Sequence, residues 1–204
     1  MKGDKDGFHR FMVWVAILTF AAVVGVTTYA YLFDSKDEFG ELEYRRGNLR
    51  LEDGEPEAAL REFDTVLRGQ PEHAPAYLGR ALALMAMERD EESLVDFAMA
   101  VELRPDFGAA YANRGILLDR MGRYTEAISD NRKALAIDPE LGEGPGWLTR
   151  FLRNQYDRPP TIADRAQYLE EELKKPPGER KLQYQELDKK QRPYKYEGPI
   201  SPQG

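Results

Sequence analysis

Few residues in this chain have the type and spacing that catalysis or metal binding requires. The sequence contains no cysteine, so it offers no thiolate nucleophile and no Cys-based metal site. Its two histidines, His9 and His73, are too few and too far apart for a His-rich metal cluster. One glycine-rich run, from Gly142 to Gly146, resembles a phosphate-binding loop, but no Lys-Ser/Thr follows it and no predicted strand precedes it. We interpret this run as a linker.

The motifs of common enzyme classes do not occur elsewhere in the sequence. It has no nucleophile elbow, no HExxH pair and no glycine-rich dinucleotide loop. The many carboxylates fall on the polar faces of predicted helices, where charge is expected. The sequence therefore predicts a protein that is not an enzyme, with no cofactor, no metal ion and no small-molecule substrate.

Charge is unevenly distributed along the chain. The formal net charge is −7, and residues 34–141 contain 24 acidic and 14 basic side chains, whereas both flanking segments are slightly positive. An acidic centre repels the phosphates of nucleic acids, which makes them unsuitable partners. The charge pattern therefore excludes DNA and RNA and leaves proteins as the expected partners.

A long apolar segment lies near the N-terminus, after a short flank of residues 1–10. From Phe11 to Phe33 the sequence contains no charged residue. A helix over this whole segment extends about 34 Å, enough to cross a hydrocarbon core of about 30 Å. Trp14 lies near one end and Tyr29 and Tyr31 near the other, where amphipathic rings favour the interface. We predict one transmembrane helix over residues 11–33.

A cleaved secretory signal peptide is the alternative interpretation of this segment. Its apolar region usually has about 7–15 residues and ends in small residues. The segment here is longer and ends in Tyr-Leu-Phe, which favours an uncleaved anchor.

Flanking charges predict the orientation of the anchor. Lys2, Lys5 and Arg10 precede it, whereas mostly acidic residues follow it directly. The positive-inside rule then places the N-terminus in the cytoplasm and the rest of the chain across the membrane. Arg45 and Arg46 lie close enough to weaken this bias.

The central part of the chain is built from an internal repeat. Pro71, Pro105 and Pro139 are equally spaced along the sequence. The same spacing relates small residues in two further columns, one with Gly47, Ala81 and Gly115 and the other with Ala59, Ser93 and Ala127. The predicted repeats are 40–73, 74–107 and 108–141.

Each column has a physical reason. Small residues on both helices of a hairpin let the two backbones approach closely, and a proline after the second helix prevents it from continuing. Asp53-Gly54, Arg89-Asp90 and Met121-Gly122 fall where each hairpin must turn.

This pattern resembles the tetratricopeptide repeat family, whose repeat has an aromatic, Leu-Gly, Ala, Phe, Ala and Pro at fixed positions. The resemblance covers residues 40–141, and Tyr77 and Tyr111 form the aromatic column. Glu43 replaces the aromatic in the first repeat and Asn131 replaces the phenylalanine in the third. The resemblance implies an all-α fold in which three repeats form a helical solenoid.

The resemblance also implies a binding surface, because these arrays bind peptides or helices in a concave groove lined by their first helices. One family mode clamps a terminal carboxylate, but among the matching positions, which hold Tyr44, Asn48, Gly79, Ala109 and Asn113, only Asn48 fits. The predicted groove residues are Tyr44, Asn48, Leu78, Leu82, Met85, Ala112, Asn113 and Ile116. Such a groove suits an amphipathic helix or hydrophobic strip. The alternative is that some of these residues only pack between neighbouring hairpins.

A repeat stack needs a closing element with a polar outer face. We predict a capping segment over residues 142–156, in which Trp147, Leu148, Phe151 and Leu152 form one helical stripe. Three hairpins and this cap make seven helices over residues 34–156.

The C-terminal arm, residues 157–204, begins with a further predicted helix. Thr161 and Asp164 form a capping-box pattern, and the helix should run to Lys175, before two prolines. The remaining tail is too polar and proline-rich to form a core. Its aromatic residues include Tyr184, Tyr194 and Tyr196. It is either a solvated tail or an arm that orders along a partner.

These features predict a membrane-anchored scaffold that binds other proteins through the groove and the arm. In the favoured hypothesis it is an accessory subunit or assembly factor of a bacterial inner-membrane complex, with its repeats in the periplasm. The alternative is a receptor that faces the cytosol from an organelle membrane.

Overall fold

One long helix, α1 (Gly3–Asp34), accounts for most of the first of two units, Met1–Leu42. The computed structural model describes residues 3–34, 40–144, 159–182 and 193–194. Within α1, His9–Tyr29 is apolar and long enough to cross a membrane, and its side chains are exposed. The Thr19 hydroxyl donates to the Val15 and Ala16 carbonyls (3.0 and 2.9 Å). The helix therefore satisfies this hydroxyl itself, as an apolar solvent requires.

The second unit, Glu43–Gly204, is built from helical hairpins. Its six consecutive helices are α2 (Glu41–Glu52, which starts just before the unit boundary), α3 (Pro56–Gly69), α4 (Ala74–Ala86), α5 (Asp90–Leu103), α6 (Gly108–Arg120) and α7 (Tyr124–Ile137). Short 3₁₀ turns follow at Pro139–Gly142 and Pro177–Glu179, with helix α8 (Ile162–Lys174) between them. The described residues contain no strand. The predicted all-α class and three-hairpin solenoid are confirmed.

The backbone conformation of the hairpin turns recurs at the predicted period. The hairpin turns place Gly54, Glu88 and Gly122, each one repeat period from the next, at φ values of 74°, 59° and 79°. Glycine adopts this left-handed conformation freely, whereas Glu88 does so against its preference. The second helix of each repeat ends at a C-cap that directly precedes the proline. The C-caps Arg104 and Asp138 have extended φ and ψ.

Aromatic rings lie against the small residues of the paired helices. The Phe63 ring is fully buried, and a Cβ atom added at Gly47 would lie only 2.7 Å from it. The same ring lies against Gly79 of the next hairpin, so one side chain joins two repeats. In the second repeat Ser93 donates a hydrogen bond to the Ala81 carbonyl (2.8 Å). These contacts explain why the columns contain small residues.

Asn131 occupies the position that Phe63 and Phe97 hold in the other repeats. Its side chain is fully buried, and neither its amide nitrogen nor its oxygen forms a hydrogen bond with any described residue. It lies beside Gly115, where an added Cβ would be 3.0 Å from its Cγ. The third repeat therefore replaces an apolar wedge with a buried amide that lacks partners among the described residues.

An arginine–aspartate pair joins the two helices of the second and third repeats. Arg80 donates two hydrogen bonds to Asp96 (both 2.7 Å), and Arg114 donates two to Asp130 (2.6 and 2.8 Å). Both pairs are bidentate, a geometry that adds specificity as well as energy. The two pairs also lie one repeat period apart, so they form a column of charged residues in the repeat. The spacing of apolar residues in the sequence does not indicate this column.

Helix α8 covers the last hairpin by packing on α7. Thr161 and Asp164 form the predicted capping box, and the helix ends at Lys174, one residue before its predicted end at Lys175. Ile162 and Leu169 are almost fully buried, and Arg165 forms a buried ion pair with Asp119 of α6. Of the cap predicted over residues 142–156, the structure describes only residues 142–144, so α8 is the described helix that closes the array.

Replacing Gly115 by Leu should destabilise the second unit. A Cβ atom here would lie 3.2 Å from the Ala127 carbonyl oxygen, so the paired helices must separate. Overpacking of this kind costs about 1–3 kcal/mol, measured by denaturant unfolding of the full chain in detergent. Gly178→Leu is the control, because an added Cβ there has no neighbour within 4 Å. Equal stability of the two variants would contradict the close approach.

Replacing Asn131 by Leu should stabilise the same unit, because it removes buried polar atoms without partners and keeps the same branched side-chain shape. We expect the free energy of unfolding to rise by about 1–3 kcal/mol. The matched control is Asn113→Leu, since Asn113 is equally buried but donates to the Ala109 carbonyl (2.8 Å). This second substitution should lower stability. If both variants lose stability, Asn131 has a partner that its present environment does not indicate.

Candidate functional site

The first helices of the repeats form a groove that contains a cavity of about 410 Å³. Helices α2 and α4 contribute most of its wall, and α6 contributes one residue at the edge. The lining consists of Tyr44, Asn48, Leu51, Glu52, Leu78, Gly79, Leu82, Met85, Ala86, Arg120 and Pro193. Most of these side chains are apolar, which is the composition of a site for a hydrophobic ligand group.

Packing holds the cavity wall in place. The Tyr44 ring packs edge-on against Phe63, with ring centroids 5.9 Å apart, and lies 5.4 Å from the His73 ring. His73 is itself fixed, because its Nδ1 accepts a hydrogen bond from the Ala76 N–H (3.0 Å) at the start of α4. His73 is thus the N-cap of α4.

Arg120 closes the edge of the cavity nearest the third repeat. It donates to the Met85 carbonyl (3.3 Å) and forms an ion pair with Asp90. These contacts join α6 to the second hairpin, so the cavity edge is tied to two repeats.

A second part of the groove holds a segment of the arm. The Asn113 amide nitrogen donates to the Tyr194 carbonyl (2.7 Å), and the Tyr194 N–H donates to the Asn113 side-chain oxygen (2.9 Å). One asparagine therefore satisfies both backbone polar groups of one arm residue. Asn113 is fully buried and its amide also donates to the Ala109 carbonyl (2.8 Å), which fixes its orientation.

The Tyr194 phenol reaches between the third repeat and α8. Its hydroxyl donates to the Leu141 carbonyl and accepts from the Ile162 N–H, each at 3.1 Å. The ring packs against an apolar cluster formed by Ala112, Ile116, Ala134 and Ile162. Every polar and apolar part of this tyrosine thus has a partner in the second unit.

The structure divides the predicted site residues into two groups. Tyr44, Asn48, Leu78, Leu82 and Met85 line the cavity, whereas Ala112, Asn113 and Ile116 surround Tyr194. Tyr184 and Tyr196 lie outside the described residues.

Some of the predicted site residues are too buried to present much surface to a partner. Leu78 is 2% exposed, and Leu82 and Ile116 are each 8% exposed. Leu78 and Leu82 belong to the core between neighbouring hairpins, so part of their contribution is packing within the array. Met85 and Asn48 are half-buried and more accessible.

Several cavity residues were not predicted from the sequence. Leu51 lies seven residues after Tyr44 and three after Asn48, so helical spacing along α2 would have identified it. No sequence pattern identifies Arg120 and Pro193 as cavity residues, because their positions depend on how α6 and the arm pack against the second repeat.

The arginine–aspartate pairs of the second and third repeats keep their charges in place. The hydrogen bonds from Arg114 to Asp130 raise the pKa of Arg114 above its ordinary value, and those from Arg80 to Asp96 do the same for the pKa of Arg80. Both side chains therefore stay cationic at any physiological pH. The described residues contain no group of three or more His, Asp or Glu side chains that could hold a metal ion.

Comparison with known proteins gives a consistent result. Family models described as "Tetratricopeptide repeat" match residues 44–106 and 108–141. No curated protein matches the sequence.

Solved structures with similar folds include TPR domains. The first TPR of Spaghetti (RPAP3), bound to an HSP90 peptide, is 16% identical with a TM-score of 0.55, covering 68% of this chain and 95% of that one. MamA is 19% identical with a TM-score of 0.50, covering 72% and 86%. The P58(IPK) TPR domain is 25% identical with a TM-score of 0.52, covering 66% of this chain and 33% of that one.

Proposed function

We propose that this chain, which belongs to the tetratricopeptide repeat family through residues 44–106 and 108–141, is a membrane-anchored scaffold that binds another protein in the groove. Tetratricopeptide repeats are interaction modules, and the groove has the shape and composition for that role. The chain has no catalytic role in this proposal.

The observation that carries the proposal is the largely apolar cavity of about 410 Å³ between α2 and α4. A relative with the same fold is bound to the HSP90 peptide SRMEEVD. The carboxylate-clamp positions here hold Tyr44, Gly79 and Ala109 instead of basic residues. We therefore infer that the partner inserts apolar side chains rather than a terminal carboxylate.

Helix α1 provides the membrane anchor in this proposal. An anchor confines the scaffold to the partner's own bilayer, which raises the effective concentration for the groove contact. A groove of modest affinity is then sufficient for a partner that is itself a membrane complex. Tyr184 and Tyr196 of the arm stay a predicted second contact.

We further infer that the partner is a bacterial inner-membrane complex and that the repeats lie in the periplasm, with the chain as an accessory subunit or assembly factor. The support is the basic N-terminal flank and the acidic residues after the apolar segment. A receptor that faces the cytosol from an organelle membrane is the alternative, because Arg45 and Arg46 reduce the charge difference.

Charge placed in the cavity should prevent partner binding. We expect the double variant Met85→Glu/Ala86→Glu to weaken affinity by about 100-fold or more, since a buried carboxylate without a partner costs several kcal/mol. Recovery of the partner from detergent-solubilised membranes measures this effect. Leu82 and Ile116 are unsuitable positions, because they are buried and a charge there would disrupt the fold.

The matched control is Val95→Glu/Ala136→Glu, which adds the same charge at exposed positions of α5 and α7 outside the cavity lining. It should leave partner recovery unchanged. If the cavity variant is helical and still recovers the partner at the normal level, the groove is not the binding surface.

Protease protection in sealed vesicles should distinguish the two orientations. In right-side-out bacterial spheroplasts, added protease should digest residues 34–204 and leave α1 and its flank protected. In inverted vesicles the repeats should be protected. The opposite result would exclude the periplasmic assignment and support the cytosol-facing alternative.

A further inference from the structure

At the third repeat, the groove contains a preformed site that binds one residue of an extended peptide. Asn113 pairs with both the N–H and the carbonyl of Tyr194, at 2.9 and 2.7 Å. Such a fork binds an extended backbone whatever its side chain, as one edge of a β-strand would. Since Asn113 is fully buried and oriented by Ala109, the fork is preorganised.

The side-chain part of this site is selective. The Tyr194 hydroxyl donates to the Leu141 carbonyl and accepts from the Ile162 N–H. A phenylalanine would leave both backbone groups without this partner, and sites that hydrogen-bond a hydroxyl discriminate strongly against ligands that lack it. The ring also has a complementary surface in the cluster of Ala112, Ile116, Ala134 and Ile162.

This site and the cavity adjoin each other along one groove. Pro193, the residue before the bound tyrosine, is one of the cavity-lining residues. An extended ligand that places a tyrosine beside Asn113 therefore has its preceding residue at the cavity of the first two repeats. A single peptide segment can use both.

We propose that the third-repeat end of the groove is a tyrosine-binding subsite, filled in the resting chain by its own Tyr194. A partner occupies the groove by presenting an extended segment with a tyrosine that displaces Tyr194. This inference rests on the proposed function and specifies the ligand of the same groove.

Tethering makes the arm an effective competitor. Only ten residues separate Leu182, which packs near α8, from Pro193. A short tether gives an effective concentration on the order of millimolar. A free peptide at micromolar concentration therefore binds the wild-type chain weakly, and removal of the competing side chain raises its apparent affinity.

The test uses the full chain in detergent and a fluorescent peptide with the sequence of residues 190–198, KQRPYKYEG. Fluorescence anisotropy should give an apparent affinity for Tyr194→Ala about tenfold or more above that for the wild type, because the arm loses its hydroxyl and ring contacts and competes more weakly. Equal affinities would overturn occupancy of the site by the arm.

Peptide variants test the selectivity without any change in the protein. With Tyr194→Ala as the receptor, phenylalanine at the position of Tyr194 should weaken binding about tenfold or more, since two hydrogen bonds are lost. Phenylalanine at the position of Tyr196 is the matched control and should have little effect. Equal losses at both positions, or none at either, would overturn the subsite.

A change in the receptor tests the backbone fork. Asn113→Asp, added to Tyr194→Ala, keeps the oxygen acceptor but cannot donate to the peptide carbonyl, so peptide binding should be lost while circular dichroism stays helical. Retained binding would overturn the role of Asn113. If the variant unfolds, the peptide variants still decide the proposal.

Two outcomes separate this inference from the proposed function. If the cavity variant loses its partner but the tyrosine and phenylalanine peptides bind equally, the scaffold role stands and the tyrosine subsite is wrong. If wild-type protein is a dimer in detergent and Tyr194→Ala is a monomer, Tyr194 fills a second copy's groove, and occupancy within one chain is wrong.

Discussion

The close approach of paired helices is the constraint on which the rest of the second unit depends. Phe63 contacts Gly47 of its own hairpin and Gly79 of the next, so the small residues and the ring set the spacing both within and between repeats. That spacing brings the first helices side by side and forms the cavity wall. A bulky residue at any of these glycines would change the groove as well as the stability of the fold.

The parts of this fold that follow from local spacing could be predicted from the sequence. The equally spaced prolines, the small columns and the capping box at Thr161 specified the hairpins and α8, because each acts within one helix or between adjacent helices. The turn at Glu88 has no glycine to identify it, yet it has the same left-handed backbone as Gly54 and Gly122. The turn predicted at Arg89-Asp90 lies earlier, because α5 already begins at Asp90 and the repeat period from Gly54 leads to Glu88.

The candidate site was predictable only in part, for a physical reason. The resemblance to the repeat family predicted groove positions on α2, α4 and α6, but not which of them are covered by other parts of the second unit. Tyr194 pairs with Asn113 across 81 residues of sequence, and no periodicity links the two. The burial of Leu78 depends in the same way on packing between hairpins.

The position of Tyr194 near the end of the chain has a consequence during synthesis. Domains fold from the N-terminus as they are made, and residues 141 and 194 are separated by about 3–10 s of translation at about 5–20 residues per second. All three hairpins are complete before the ribosome adds Tyr194. A newly made groove is therefore open to a partner for several seconds, and a complex assembled in that interval meets no competition from the arm.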